Sequence, residues 1–395
     1  MPGPLHGVKV LDLTTVVMGP FATQILAELG ADVVKIETHD GDNMRHPGPM
    51  KHPGMGYMYL GLNRGKRGIV LDLKKPEGLE AMQRLVAGAD VLIYNVRPQA
   101  MARLGLSWED VSRINPRLLY VGAYGYSQNG PYAAKAAYDD LIQGGAGMGW
   151  LAAKTGAPPN YAPVNFADRV TGLHAVYTVT AALFERERSG RGQSIEVPML
   201  EAISHFVLGD HLAGFTWEPP HGDAGYQRLL ARRPYQTADG YICVLVYNDK
   251  QWKVFLDRIG RPELMQDPRF ATQGSRAANV HHIYDFLGRL FRTEPSAHWI
   301  ALLEAADIPV APMNSIEDTV RDRHLNESGF FYIEDHPSEG RLRSMRTPTS
   351  WSESPTGTPR PAPRLGEHSA EVLKEAGYSD DEIAELEKKG VTKLG

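Results

Sequence analysis

The sequence has very little cysteine, since Cys243 is the only one in 395 residues. A single thiol excludes intramolecular disulfides and cysteine-based metal cages, which fits a reducing compartment. No stretch reaches about 18 uninterrupted apolar residues, and the N-terminal residues lack the charged and apolar segments of a secretory signal. We therefore expect a cytoplasmic protein that does not cross a membrane, with Cys243 in the core of the strand-like segment "GYICVLVY".

An excess of positive charge is also absent. The formal net charge is −5 at pH 7, so we expect neither nucleic acid nor an anionic membrane as a partner, although a small basic pocket stays compatible with this balance. Hydrophobic residues at 42% and charged residues at 23% are ordinary for a globular protein. Because a single domain usually holds roughly 100–200 residues, the length predicts two or more domains.

Two familiar motifs for bound groups are missing. The segment "TTVVMGP" after the first strand contains one glycine, whereas a dinucleotide-binding loop needs several to bring its backbone close to a pyrophosphate. His281 and His282 would point in different directions on a helix, and no HExxH motif or carboxylate–histidine cluster accompanies them. The sequence therefore favours neither a nicotinamide or flavin cofactor nor a metal site.

The first half of the chain alternates between strand-like and helix-like segments. Short β-branched runs occupy 8–13, 32–37, 68–73, 90–95 and 118–124, and segments with helical spacing lie between them at 21–30, 76–87 and 107–115. This alternation predicts an α/β fold with an open, mostly parallel sheet and helices on both faces. Ligands of such sheets bind beyond the carboxyl ends of the strands.

The pattern changes from about residue 225. A hairpin is predicted around Asp239 and Gly240, with helices at 249–259, 280–292 and 295–306, which indicates a smaller α+β domain. A proline-rich connector follows at 354–366. Two amphipathic helices then end the chain, the second capped by Ser379.

Basic residues recur at the ends of the predicted strands. Arg64, Lys66 and Arg67 precede one strand, while Lys74, Lys75, Arg97 and Arg103 follow two strands at the ligand-binding edge. Any one of them is explained by simple exposure to water. Together, those after the strands suit an anionic ligand that bears phosphate.

Asp168 stands directly before a long apolar run in "NFADRVTGLHAVYTVTAALFERERSGRGQ". The run predicts a buried helix that ends at Gly190, with an apolar face formed by Leu173, Val176, Val179, Ala182 and Leu183. Asp is among the best N-cap residues, and such a cap contributes roughly 1 kcal/mol. From this segment alone, Asp168 is interpreted as a structural cap.

Six ordered segments between residue 5 and about 375 carry a resemblance to a known family. They are "GVKVLDLTTVVMGPFATQILAELGADVVKIE", "LNRGKRGIVLDLKKPEG", "NVRPQAMARLGL", "NGPYAAKAAYDDLIQGGAGM", "ADRVTGLHAVYTVTAALFERERSGRGQSIEVPMLEA" and "PAPRLGEHSAEVL". The set resembles the class III CoA-transferases, the CaiB/BaiF family that includes formyl-CoA:oxalate CoA-transferase.

The resemblance implies an architecture and a dimer. It implies a large Rossmann-like domain over 1–210, a small α+β domain over 225–325, and a C-terminal segment over 326–395 that returns to the large domain. Two such chains would thread through one another as an interlocked homodimer.

The resemblance also implies the chemistry. Asp168 occupies the position of the family's nucleophile, which attacks a thioester to form a mixed anhydride and then an aspartyl-CoA thioester. A carboxylate with an unperturbed pKa of about 3.9 is expected to be ionised at neutral pH. Free N–H groups at the start of its helix would favour the anionic oxygen of each tetrahedral state.

The remaining site residues are carried over by matching segments. The CoA contacts implied are Leu71, Asp72, Leu73, Lys74, Asn95, Val96, Arg97 and Arg103, and the acyl pocket implied is Val16, Val17, Met18, Gly19, Tyr138 and Asp139. No cofactor is expected to be bound permanently, because coenzyme A is substrate and product. The partners implied are an acyl-CoA thioester and a small carboxylic acid.

The chain also departs from the formyl-CoA enzyme. Thr38 and Ala136 stand where that enzyme has basic residues, with Lys135 and Arg45 nearby, and Val17 replaces a glutamine of the substrate loop. These departures disfavour an oxalate–formyl substrate pair and favour a larger or less polar acyl group. The alternative function is an acyl-CoA racemase of the same fold, but the racemases carry a histidine where this chain has Tyr138. A CoA-binding subunit without catalysis would leave Asp168 unused.

Overall fold

The computed structural model describes residues 3–395, which form two compact units. The first unit holds the described residues up to Gly149 together with Asn160–Val207 and Gly329–Gly395, and the second holds Trp150–Pro159 and Leu208–Ser328. Residues 150–159 go with the second unit, whereas the sequence-based division at 210, 225 and 325 places them in the large domain. That division stays a prediction.

The β-strands of the described residues are short and fall into three sheets. In chain order they are β1 Lys9–Leu13, β2 Asp32–Glu37, β3 Arg67–Val70, β4 Val91–Tyr94, β5 Leu119–Tyr124, β6 Gln193–Pro198, β7 Tyr235–Gln236, β8 Tyr241–Val244, β9 Val310–Pro312, β10 Phe331–His336 and β11 Gly340–Met345.

The α-helices differ widely in length, from one turn to 24 residues. In chain order they are α1 Met18–Glu28, α2 Tyr57–Leu62, α3 Pro76–Ala87, α4 Pro98–Arg103, α5 Trp108–Ile114, α6 Asp139–Gly145, α7 Phe166–Ser189, α8 Met199–His211, α9 Gln227–Leu230, α10 Asp249–Arg258, α11 Gln273–Ala278, α12 Val280–Phe291, α13 Ser296–Glu304, α14 Ile316–Arg321, α15 Arg323–Glu327, α16 Ser369–Glu375 and α17 Asp380–Lys388. Short 3₁₀ segments occur at Asn43–Arg45, Met148–Trp150, Ala153–Thr155, Ala213–Thr216 and Pro262–Gln266.

A six-stranded parallel sheet organises the first unit, in the order β3-β2-β1-β4-β5-β6. The interior strands β4 and β5 are buried along their whole length, as their continuous apolar sequences require. This sheet confirms the α/β class and the predicted strand–helix alternation. The largest difference among the strand boundaries is at β3, which ends at Val70 rather than 73, because the N–H of Asp72 turns away to the carbonyl of Val391.

The C-terminal segment of the first unit covers the edge strand β3. The Thr392 hydroxyl donates to the Val70 carbonyl at 2.7 Å, and the Val70 N–H donates to the Ser369 hydroxyl at 3.2 Å. Arg67, at the start of β3, pairs with Glu371 and Glu375 on α16, at 2.8 Å each. An edge strand presents unpaired backbone groups, and the bonds from Thr392 and Ser369 satisfy two of them, both on Val70.

The second unit has a three-stranded antiparallel sheet, β7-β8-β9. Its core is rich in aromatic side chains from the helices, among them Trp252, Phe255, Phe291 and Trp299. The prediction for Cys243 was wrong: Ile242 of β8 is buried, but Cys243 points to the opposite face of the strand and is exposed.

No helix within residues 3–395 combines the length and the apolar character that a membrane crossing requires.

Helices α1 and α7 approach each other closely in the first unit. A methyl group added at Gly172 of α7 would lie 2.9 Å from the Met18 carbonyl oxygen and 2.9 Å from the Phe21 ring. This close approach of the two helices leaves room only for glycine, the smallest residue, at position 172.

The buried face of α7 includes Val179 but not Leu173, which is 51% exposed, so the predicted apolar face was wrong at that position.

We expect Gly172→Ala to destabilise the first unit by about 1–3 kcal/mol, because the new methyl group meets backbone that cannot give way easily. Gly61→Ala is the matched control. A methyl group there meets nothing within 4 Å, so only the helix preference of Ala acts, with a gain of up to about 1 kcal/mol. Urea unfolding followed by circular dichroism measures both, and equal stabilities of the two variants would contradict the prediction.

Candidate active site

The predicted site residues gather at the carboxyl edge of the six-stranded sheet. The loops after β1, β3 and β4 leave the sheet at this edge because the strands are parallel. β1 and β4 are neighbours, but the chain continues from β1 to β2 in one direction across the sheet and from β4 to β5 in the other. That topological switch point is where open α/β sheets bind ligands.

Asn95 joins the loops after β1 and β4. Its side-chain amide accepts from the Thr15 N–H at 3.0 Å and donates to the Thr15 carbonyl at 2.7 Å. The side chain is therefore used within the protein, although Asn95 was predicted as a CoA contact. Val96, the next residue, is exposed.

The loop after β1 enters α1 through the predicted acyl-pocket residues. Val17 is the N-cap residue of α1, Met18 and Gly19 begin the helix, and all three are buried. Because the Met18 carbonyl packs against Gly172, this loop lies beside the first turns of α7. The structure thus brings the loop predicted to line the acyl pocket and the segment of Asp168 together, which sequence separation gives no reason to expect.

Asp168 is the third residue of α7 and not its N-cap. The helix begins at Phe166, and the N-cap residue Asn165 makes no side-chain capping bond. The cap interpretation was wrong because Phe166 and Ala167 already adopt helical conformation before the carboxylate. The predicted supply of free N–H groups is also smaller, since Phe166 donates to the Val164 carbonyl at 2.7 Å and Asp168 donates to Asp139.

Asp139 is the partner that anchors the start of α7. Its Oδ1 accepts from the Asp168 N–H at 2.9 Å, and its Oδ2 accepts from the Gln143 side-chain amide at 2.6 Å. Gln143 is fully buried, and its own oxygen accepts from the Ala162 N–H at 2.9 Å. Two carboxylates therefore lie close together, with one of them held by a buried amide.

This environment changes the acidity of Asp168. Burial raises the pKa of the Asp168 carboxyl and the charge of Asp139 raises it further, to about 7, while Arg169 opposes the shift. The expectation of an ionised carboxylate at neutral pH is therefore corrected, because a pKa of about 7 leaves both the protonated and the ionised form populated there. The neutral form is the one that the fold favours. Its stabilisation is complete below a pH of about 4 and is lost as the pH rises to about 7.

Three of the predicted cationic contacts are exposed and available. Lys74, Arg97 and Arg103 face solvent, and none of them forms an ion pair with another residue in the described part of the chain. Arg97 makes one hydrogen bond, of 3.3 Å, to the Ala134 carbonyl. Because Lys74 follows β3 while Arg97 follows β4, the cations spread along the carboxyl edge rather than meeting at one point.

The other basic residues near the strand ends serve the protein itself. Lys66 is buried against Asp12 at 3.0 Å, and Lys75 donates to the carbonyls of Lys389 and Gly390. Arg45, which stands near a position that is basic in the formyl-CoA enzyme, is buried in an ion pair with Glu37 at 2.6 Å. Arg45 is therefore no substitute for that contact.

The remaining predicted contacts divide between the core and the surface. Leu71 is buried, its N–H bonded to the Glu37 carbonyl, and Leu73 packs against the hydrophobic core. The Asp72 carboxylate accepts from the Lys74 N–H at 3.1 Å, which shapes the turn after β3. Tyr138 is 69% exposed and directly precedes α6, which begins at Asp139.

Sequence reasoning missed two residues of this site. Gln143 lies one helical turn after Asp139, so the i, i+4 spacing on α6 was the available signal. Arg169 is adjacent to Asp168, with its guanidinium 4.4 Å above the Phe21 ring. Within residues 3–395 no group of three His, Cys, Asp or Glu side chains is placed to hold a metal ion.

Comparison with known proteins gives consistent matches over nearly the whole chain. Residues 5–369 match the family described as CoA-transferase family III. The chain is 34% identical over 383 residues to succinate–glutarate CoA-transferase of Agrobacterium fabrum, covering 94% of this chain and 95% of that protein. It is 33% identical over 412 residues to formyl-CoA:oxalate CoA-transferase of Escherichia coli, covering 98% and 99%.

A solved structure agrees with the fold. The crystal structure of a CAIB/BAIF family protein from Brucella suis matches with a TM-score of 0.81 and 31% identity, covering 95% of this chain and 100% of that one. These matches confirm the resemblance that the ordered sequence segments indicated.

We expect the Asp168 carboxyl to titrate near pH 7, and Asp139→Asn to lower its pKa because the neighbouring negative charge is removed. Carbon-13 NMR of the aspartate carboxyls measures this, with the Asp168 signal identified by its loss in Asp168→Asn. Asp140→Asn is the matched control, since Asp140 is the exposed neighbour of Asp139. Titration of Asp168 near the usual value of about 4 in the unchanged protein would contradict the prediction.

Proposed function

The chain belongs to CoA-transferase family III, and from that premise we propose that Asp168 is the nucleophile through which it transfers CoA. Membership of the family establishes the general activity: the chain is a class III CoA-transferase, which acts on acyl-CoA thioesters and carboxylic acids. One observation carries the proposal for Asp168. A partly buried carboxylate with a raised pKa stands at the start of α7, beside the loop that enters α1.

The reaction begins on the ionised form of Asp168. Its carboxylate oxygen attacks the carbonyl carbon of the donor thioester, the carbon–sulfur bond breaks, and CoA leaves as the thiolate. The product is a mixed anhydride between Asp168 and the donor acyl group. The thiolate then attacks the Asp168 carbonyl of the anhydride, which releases the donor acid as its carboxylate and leaves an aspartyl-CoA thioester.

The acceptor acid completes the exchange by the same two steps in reverse order. Its carboxylate attacks the aspartyl thioester, forming a second anhydride and freeing the CoA thiolate. The thiolate attacks the acceptor's carbonyl carbon, which yields the new acyl-CoA and restores the Asp168 carboxylate. No proton needs to move in any step, so the scheme requires an ionised Asp168 but no general base.

The raised pKa of Asp168 has two consequences for this scheme. A more basic carboxylate is a better nucleophile once it is ionised, and it is ionised in an increasing fraction as the pH rises through about 7. The turnover of the enzyme should therefore increase with pH across that range. Asp139 contributes to the raised pKa because its negative charge repels the ionised Asp168 side chain. It also accepts a hydrogen bond from the Asp168 N–H, which keeps the two residues close.

The other predicted contacts have distinct roles in the proposal. Lys74, Arg97 and Arg103 bind the anionic nucleotide part of CoA, supported by their exposure at the carboxyl edge. The segments around Leu71–Leu73 and Asn95–Val96 line the path of CoA from that part towards the acyl pocket. Val16–Gly19, Tyr138 and Asp139 enclose the acyl group.

The substrates proposed are small carboxylic acids and their CoA thioesters. The relative from Agrobacterium fabrum is named for succinate and glutarate, and both acids are larger than formate and oxalate, as the departures from the formyl-CoA enzyme favour. CoA itself is substrate and product, and the proposal includes no permanently bound cofactor.

We also propose that the enzyme acts as an interlocked homodimer in the cytoplasm. Large apolar side chains are exposed on α7 within the first unit, among them Leu173, Tyr177 and Phe184. Exposed apolar patches of this kind mark interaction sites in soluble proteins. A second copy of the chain is the partner that the family resemblance implies.

Replacing Asp168 should abolish CoA transfer while the fold persists. We expect Asp168→Asn to lower kcat by about a thousandfold or more, because an amide cannot form the anhydride. Asp140→Asn is the control with the same chemical change on an exposed residue. Mass spectrometry of new CoA thioesters from succinyl-, acetyl- and formyl-CoA with a panel of acids measures the rate. A folded Asp168→Asn that retains transfer would exclude the nucleophile proposed.

The activated carbonyl should also be trappable in the unchanged protein. Hydroxylamine added with the donor thioester should modify the peptide that contains Asp168. The racemase alternative makes a different prediction, because it exchanges the proton at Cα and would incorporate deuterium from heavy water without any acceptor acid. Rapid incorporation without peptide modification would favour the racemase.

Removal of the exposed cations should weaken binding more than it slows the chemical step. Lys74→Ala, Arg97→Ala and Arg103→Ala should each raise the KM for the CoA thioester by about tenfold, with a much smaller change in kcat, because contacts remote from the thioester act equally on ground and transition states. Arg191→Ala is the control, since Arg191 is exposed just before β6 and therefore lies at the amino edge of the sheet, away from the carboxyl edge. An unchanged KM in all three variants would exclude this assignment.

A further inference from the structure

The loop between β1 and α1 is held in place by side chains from other segments. The Thr14 N–H donates to the Asp12 carboxylate at 2.9 Å, and the Thr14 carbonyl accepts from the Lys35 ammonium at 2.8 Å. Thr15 uses both of its backbone groups on Asn95. Backbone groups in loops usually bond to water, so a loop fixed in this way is preorganised.

Val16 completes this pattern through Asp42. Its N–H donates to Oδ1 of Asp42 at 3.1 Å, and the same oxygen accepts from the Met44 N–H at 2.9 Å. Oδ2 of Asp42 accepts from the Lys35 ammonium at 2.9 Å. The Asp42 and Lys35 side chains are both fully buried.

The bond from Asp42 falls on the one residue of the loop whose backbone is strained. Val16 has φ of 72°, in the left-handed region that favours glycine and disfavours a β-branched side chain. Such a conformation persists only where its surroundings impose it, and strain of this kind collects at functional sites. Directly after this turn the chain enters α1 through Val17 and Met18.

A buried ion pair by itself is weak support for stability, because desolvation offsets much of the attraction. Lys35 and Asp42 do more than pair with each other, because each side chain also forms a hydrogen bond to the backbone of the loop between β1 and α1. Both side chains reach the same short loop, Lys35 at the Thr14 carbonyl and Asp42 at the Val16 N–H. Their shared target is the left-handed turn that sets how the acyl-pocket loop enters α1.

We propose that Asp42 is a positioning residue for the CoA-transfer reaction. Its carboxylate, fixed by Lys35, holds Val16 in the left-handed conformation and so places Val17 and Met18 against the reacting acyl group. The inference rests on the proposed role of the loop as the acyl pocket. It assigns no contact between Asp42 and substrate.

Asp42→Asn tests the proposal directly. An amide offers one oxygen, which the charged Lys35 takes, so the NH₂ group opposes the Val16 N–H and the turn can relax. We expect kcat to fall by about tenfold to a hundredfold, since small misplacements of reacting groups have effects of this size. The KM for the CoA thioester should change by less than about threefold, because the nucleotide contacts are unaffected.

The role of the turn is tested by the same substitution in a Val16→Gly background. Glycine adopts a positive φ without strain, so the left-handed turn no longer needs the bond from Asp42. Asp42→Asn should then lower kcat by less than about threefold. The same loss in both backgrounds would show that Asp42 does not act through Val16 and would overturn the proposal.

Glu28→Gln is the control for loss of a buried ion pair. Glu28 pairs with Arg64 at 2.8 Å near the other end of α1, so its replacement should lower stability and leave kcat unchanged.

If Asp42→Asn is not recovered folded, Asp42→Glu takes its place, because it keeps the charge opposite Lys35 but moves the oxygens. The same fall in kcat is expected, and unchanged kcat in a folded variant would overturn the proposal.

Failure of the proposed function has a different signature. In that case the unchanged protein either transfers no CoA or transfers it without dependence on Asp168. Failure of the positioning role alone leaves transfer dependent on Asp168 but indifferent to Asp42.

Discussion

The close contact between α1 and α7 is the constraint on which the candidate site depends. Gly172 has no side chain, so the Met18 carbonyl and the Phe21 ring lie directly against α7. One helix follows the loop at the end of β1, and the other begins two residues before Asp168. Because the two helices are in contact near their amino ends, a loop from the start of the chain and a carboxylate from its middle become parts of one site.

Two carboxylates in the first unit show how the surroundings decide acidity. Burial alone would raise the pKa of Asp12, but Lys66 and Lys35, together with hydrogen bonds from Thr14 and Thr23, outweigh it and hold that pKa well below its usual range. Asp168 is also shielded from water, but the charge that affects it most is that of another carboxylate, Asp139, and its pKa is raised. The first group stays a fixed charge that orders the interior, whereas the second can change its charge near neutral pH.

The sequence predicted the elements of the sheet better than the surroundings of single side chains. Alternating strand and helix patterns located the parallel strands, because buried strands need continuous apolar sequence. The pattern could not tell that Cys243 points outward from β8, or that Leu173 lies on an exposed face of α7. It also could not tell that α7 begins before Asp168, because helix boundaries depend on contacts that propensities do not contain.

By itself, the sequence determined the fold class, the family and the positions at which the chemistry was to be sought. Only the tertiary structure decided which charges are free and which are used, as Lys66 pairs with Asp12 across 54 residues while Lys74 stays exposed. It also decided the acidity of Asp168, first through burial and then through the charge of Asp139, at a separation of 29 residues. The physical reason is that electrostatic interactions depend on distance and burial in space, and a linear sequence specifies neither until the chain has folded.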